Sequence, residues 1–171
     1  MATEKTVRRA AIFGASGGIG SALATALADR GAEVWAGRRS GRAVDSRFRS
    51  FRFDLADENS IAAVAEQMAE NPPDMVLVAT GVLTLADGTG PERSFRKLRA
   101  EAMEEAFRIN TIGPALIAKH MLPLLARDGR AFFGALSARV ASISDNGLGG
   151  WHSYRASKAA LNMLLKNFAI E

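Results

Sequence analysis

Cysteine is absent from the chain, which excludes disulfides, a thiolate nucleophile and a thiolate-bound metal. Histidine is nearly absent. His120 and His152 lie far apart, so a histidine-rich metal site is not expected, and no metal is assigned. The first residues, "MATEKTVRRAAIFGASGG", contain no long apolar run. The expectation is therefore a soluble, cytoplasmic protein with neither a leader nor a membrane span. Charge of one sign does not accumulate. Lys and Arg number 22 against 18 Asp and Glu, and the net +4 is dispersed over short pairs such as Arg8–Arg9 and Arg38–Arg39. No run reaches the length of a nucleic-acid tail, so no nucleic-acid partner is expected. Internal repeats and low-complexity linkers are also missing. Tyrosine occurs once, at Tyr154.

The chain does contain ample apolar material, 48% of 171 residues, enough for the core of one domain. Short apolar runs alternate with helical patterns. Strands are expected at 9–14, 32–37, 50–53, 74–81 and 130–136. Helices are expected at 19–31, 57–70, 99–129 and 152–170, the third bent near Gly113–Pro114. In the first helix Ile19, Leu23, Ala26 and Leu27 are expected to face inward. This alternation predicts an α/β fold, a doubly wound parallel sheet covered by helices on both faces. Such sheets bind ligands at the carboxyl ends of their strands.

The first strand runs into "GASGGIG", with Gly14, Gly18 and Gly20 ahead of a helix. Small residues there admit a tight turn and a close backbone approach to pyrophosphate, and a helix N-terminus offers free N–H groups to an anion. The second strand ends in "GRRS", with no acid. Arg38 and Arg39 could be a solvated surface pair, but after a glycine loop they favour a 2′-phosphate, and so NADP in preference to NAD. Tyr154 and Lys158 are four residues apart, on one face of a helix.

Together "GASGGIG", Asp54–Leu55, Asn110 and "YRASK" resemble the short-chain dehydrogenase/reductase superfamily in this order along the chain. The tail "LSARVASISDNGLGGWHSYRASKAALNM" is similar to the C-factor and sniffer-like carbonyl reductase branch. The resemblance implies a Rossmann-type fold, here one NADP-binding domain over 1–171. It also implies hydride transfer between a nicotinamide cofactor and a small carbonyl or alcohol, and a homo-oligomer, dimer or tetramer. Carried over by residue, Gly14, Ser16, Gly18 and Ile19 line the pyrophosphate. Asp54 and Leu55 flank the adenine. Asn110 supports a water in a proton relay. Tyr154 is the general acid/base, and Lys158 binds the nicotinamide ribose and lowers the phenol's pKa. A free phenol at ~10 is a poor base near neutrality, and a nearby ammonium favours its ionised form.

Three departures from the family pattern stand out. Ala79-Thr80-Gly81 replaces Asn-Ala-Gly, so Thr80 retains a hydroxyl but no carboxamide, while Gly81 still admits the cofactor. The carbonyl-polarising serine is Ser137, with Ser142 as the alternative. The chain ends at "NFAIE", without the family's C-terminal strands. A non-catalytic dinucleotide-binding sensor or signalling protein of the same fold is the competing reading.

Overall fold

The structure is a computed structural model that describes residues 7–40 and 45–171. The part of the leader expectation that concerns residues 1–6 lies outside the described residues.

Five parallel strands form one sheet: β1 (Arg9–Phe13), β2 (Glu33–Arg38), β3 (Arg49–Arg52), β4 (Met75–Val78) and β5 (Phe132–Ala135), in the order β3-β2-β1-β4-β5. The chain builds outward from β1 through β2 to β3, then returns to place β4 on the other side of β1. The reversal opens a crevice above the carboxyl ends of β1 and β4, the topological switch point of a doubly wound sheet. The expected fold class is observed, with helices on both faces.

Alternation along β1 shows how the two faces are covered. Ile12 points into one cluster with Ala24 of helix α1 (Gly18–Asp29) and Val34. Ala11 and Phe13 point into the other, with Ile61 and Val64 of α2 (Glu58–Met68) and Ile117 and Met121 of α4 (Gly113–Met121). Phe13 meets the rings of Phe51 and Phe53 edge-on, each at 5.0 Å between centroids. A residue period of two thus places apolar side chains on both faces, as a buried parallel strand requires. Helix α2 begins at Asp57, whose carboxylate accepts the Asn59 N–H at 3.1 Å.

Two expectations need correction. Ile19 does not face inward. It is 62% exposed; the buried positions of α1 are Gly20 and Ala24, and Leu23 and Leu27 pack partly buried against the same core, as expected. The small residues let helix and strand approach more closely than the aliphatic stripe implied. The segment 99–129 is not one helix bent at Gly113–Pro114. Helix α3 (Ala100–Phe107) widens into a π turn over Arg108–Ile112, and α4 follows to Met121. Pro114 has no N–H to return to the preceding turn, so the ladder widens before the proline rather than at it. The last expected helix is α5 (His152–Phe168).

Candidate active site

The loop after β1 is held from both sides. The N–H groups of Gly14 and Ala15 donate to the Gly37 carbonyl at 3.1 and 2.9 Å, tying the loop to the end of β2. Gly14 has φ +96°, and a Cβ there would lie 2.9 Å from the Ala79 carbonyl carbon. Gly20 is tighter still: a Cβ would sit 2.3 Å from the Gly14 carbonyl oxygen, a backbone atom that cannot step aside. Gly18 is different, with nothing within 4 Å of a built Cβ, so its open side faces outward. Helix α1 starts at Gly17 without a side-chain cap and without an acid in its first turn. Its free N–H groups are left for an external anion. Gly20→Ala is expected to cost about 1–3 kcal/mol through overpacking. Thermal denaturation should show this as a lower Tm, with weaker dinucleotide binding in parallel.

Beside this loop lies a cleft of about 400 Å³. Its walls include Gly14, Ser16, Arg38, Asp54, Leu55, Thr80 and Gly81, seven of the residues singled out in the sequence. Phe53, Glu105 and Ile109 also face it and carried no signal of their own. Gly18 and Ile19 are not among its lining residues. Arg38 is not a solvated surface residue: it is 6% exposed, and its buried Nε has no partner among the described residues. Thr80 Oγ1 is likewise buried and unpartnered. Buried donors are normally satisfied. Two residues of the cleft wall that each carry an orphaned polar atom, next to an uncapped helix end, fit a polar, anionic ligand of nucleotide size.

The end of β4 brings the second half of the site together. A Cβ at Gly81 would lie 3.1 Å from Lys158 Nζ and 3.3 Å from Asn110 Oδ1, so glycine lets both groups come close, and any side chain there would push them back by a few tenths of an ångström. Asn110 is fully buried in the π turn. Its Oδ1 accepts the Val82 N–H at 2.9 Å, and its Nδ2 donates to the Val82 carbonyl at 2.9 Å and to Ser157 Oγ at 3.2 Å. Thr111 Oγ1 donates to the Ser157 carbonyl at 2.7 Å, and Ser157 Oγ donates to the Tyr154 carbonyl at 2.9 Å. One carboxamide thereby joins the loop after β4 to the helix carrying Tyr154. Ser157 and Thr111 were not anticipated, because their partners are dozens of residues away.

Lys158 is buried, and its Nζ donates to the Leu136 carbonyl at 2.8 Å. Burial holds its ammonium below the ordinary lysine value of 10.5. The folded protein therefore binds this proton less tightly than the unfolded chain does. The resulting penalty is full below the folded pKa and is relieved as pH rises through it towards 10.5. The parent should gain stability relative to Lys158→Met over that interval, as measured by paired melting curves. A difference independent of pH would count against it.

Tyr154 is partly buried in the first turn of α5. Its ring meets Trp151 edge-on at 6.4 Å. Of the two candidate serines, Ser142 is committed elsewhere, since its Oγ accepts the Asp145 N–H at 3.2 Å and lies 3.4 Å from Ser144 Oγ. Ser137, just after β5, is exposed. Among the described residues no group of histidine, aspartate and glutamate is arranged to hold a metal, and no helix is long and apolar enough to cross a membrane.

Comparison with known proteins agrees with the fold. The family model described as short chain dehydrogenase matches residues 8–171. The chain is 31% identical over 167 residues to 1-hydroxy-2-glutathionyl-2-methyl-3-butene dehydrogenase of Rhodococcus sp. (strain AD45), covering 92% of this chain and 68% of that protein. It is 29% identical over 109 residues to C-signal of Myxococcus xanthus, covering 64% of this chain and 62% of that one, in line with the C-factor-like tail. A carbonyl reductase from Pseudomonas aeruginosa PAO1 in complex with NADP superposes with a TM-score of 0.80 at 26% identity, over 95% of this chain and 72% of that one. Other curated relatives are spanned over as little as 61% of their length.

Proposed function

This chain belongs to the short-chain dehydrogenase family, and from that premise we propose that it is an NADP-dependent oxidoreductase interconverting a small carbonyl and an alcohol. The observation that carries the reading is the convergence at Gly81. There Lys158 and Asn110 meet the loop after β4, whose Thr80 lines the nucleotide-sized cleft. A nicotinamide dinucleotide is the cofactor that the family and its NADP-bound neighbour support. When bound, it supplies the hydride.

The chain's own residues do the rest. The α1 N-terminus, with Gly14, Ser16, Gly18 and Ile19, cradles the pyrophosphate. Arg38 takes the 2′-phosphate, and its orphaned Nε and low exposure support that role. Asp54 and Leu55 form the adenine side of the cleft, and Thr80 offers its unpartnered hydroxyl. Lys158 holds the nicotinamide ribose. Tyr154 gives a proton to the carbonyl oxygen in reduction and takes it back in oxidation, and Ser137 polarises that carbonyl. Asn110 holds Gly81 and α5 in register through Val82 and Ser157. The 1–171 chain acts as one cytoplasmic NADP-binding domain. The apolar groove of about 710 Å³ along α3 and α4, lined by Met103, Phe107, Ile112 and Leu116, is the proposed contact in a homo-oligomer.

The test is a titration with NADPH and NADH under identical salt, followed by turnover on a panel of small ketones and aldehydes. Tighter NADPH binding with turnover is expected. Tight binding with no turnover on any carbonyl or alcohol would point instead to a sensor.

A further inference from the structure

Helix α5 carries Tyr154 in its first turn but cannot cap itself. Its N-cap residue is Trp151, which has no side-chain acceptor to offer. The chain entering it runs through the left-handed region: Gly149, Gly150 and Trp151 have φ of +62°, +66° and +52°, three consecutive residues with positive φ, the last of them bulky. Within the entry loop Asn146 Oδ1 accepts the Gly149 N–H at 3.0 Å, while the bonds to the Trp151 and Ser153 N–H groups come from Glu92, 61 residues before Ser153. The Glu92 carbonyl accepts the Trp151 N–H. The Glu92 carboxylate accepts the Ser153 N–H at 3.1 Å through Oε2 and the Ser153 hydroxyl through Oε1.

Both partners are buried, Glu92 at 8% and Ser153 at 5% exposure. A buried carboxylate is costly unless paired, and among the described residues Glu92 pairs with no arginine or lysine. Burial pushes its carboxyl up, but the Ser153 hydroxyl and the backbone N–H groups outweigh that and hold it below the ordinary value. It therefore stays ionised against the positive end of the helix dipole. The Trp151 ring then meets Tyr154 edge-on.

We propose that Glu92 is a positioning residue, which through its bonds to Trp151 and Ser153 fixes the first turn of α5 and with it the Tyr154 phenol. The proposal rests on the reading of Tyr154 as the proton donor. Glu92 itself does not line the nucleotide-sized cleft.

The variants are Glu92→Ala, which removes the carboxylate and both bonds to Ser153 but keeps the backbone carbonyl that accepts the Trp151 N–H, and Glu92→Gln, which keeps an acceptor for the Ser153 N–H and a donor for its hydroxyl. Each is made in the full chain, with a parallel set carrying Trp35→Phe so that Trp151 is the sole tryptophan. Glu92→Ala should lower kcat by about ten- to a hundredfold, the scale of a misplaced reacting group, with NADPH affinity changed by no more than about twofold. Its Trp151 emission should shift to the red and become more accessible to acrylamide. Glu92→Gln should restore most of both. Parental kcat and emission in Glu92→Ala would overturn the proposal. So would equal losses in both variants with cofactor affinity falling in step, since that marks a general effect on folding. Should Glu92→Ala not fold, Ser153→Ala takes its place, losing one of the two carboxylate bonds, and an unaltered kcat there overturns the proposal. If the parent reduces no carbonyl, the emission decides alone. A red shift in Glu92→Ala then upholds the clamp and sinks the catalytic reading, and no shift sinks the clamp.

Discussion

Tyr154→Phe is expected to abolish carbonyl reduction, with a loss of about 10²–10⁴-fold, the range assigned to a positioned general acid. The substitution removes one hydroxyl and leaves the ring, so the edge contact with Trp151 and the packing of α5 survive. The cleft that would hold the dinucleotide is lined by other residues, among them Gly14, Arg38, Asp54 and Thr80. NADPH affinity should therefore stay within about twofold of the parent, which makes the defect one of kcat rather than of binding. Stopped-flow hydride transfer and equilibrium titration separate the two. A variant that turns over at the parental rate would remove Tyr154 from the chemistry. One that loses turnover and NADPH binding together would mean that the phenol supports the fold of the site.

Arg38→Asp should invert the cofactor preference. A guanidinium hydrogen-bonded to a phosphate contributes roughly 1.5–3 kcal/mol, and an introduced carboxylate adds repulsion. NADPH affinity is then expected to fall by about a hundredfold, since each 1.4 kcal/mol is tenfold. NADH should lose nothing and could gain a hydrogen bond from its ribose hydroxyl to the new carboxylate. Arg38 is almost fully buried, whereas its neighbour Arg39, which also lines the cleft, is exposed. Arg39→Ser should accordingly have the smaller effect, and screening by salt should diminish it further. Titrations at two ionic strengths check both. Equal losses for NADPH and NADH in Arg38→Asp would assign Arg38 to the fold alone.

Part of this was legible in the residues because it is local. A buried parallel strand is apolar at nearly every position, and a helix repeats its apolar residues every three or four, so the order of strands and helices is readable without a partner in view. The glycine loop is equally local: Gly14 and Gly20 are needed where the chain turns and where helix meets strand, within a few residues of each other. The Tyr154–Lys158 spacing is one helical turn. Arg38, by contrast, reads the same whether solvated or buried, and only its place at the end of a central strand decides that it is buried. Ile19 was expected inside and is exposed, because an amphipathic pattern does not reveal that Gly20 and Ala24 make the closest approach. The joint between Asn110, Val82 and Ser157, the meeting of Lys158 and Gly81, and the Glu92 cap on α5 all connect residues dozens of positions apart. Hydrogen bonds of that kind leave no periodicity along the chain. They exist because parallel strands place their carboxyl ends side by side, so the loops that follow distant strands converge on one edge of the sheet.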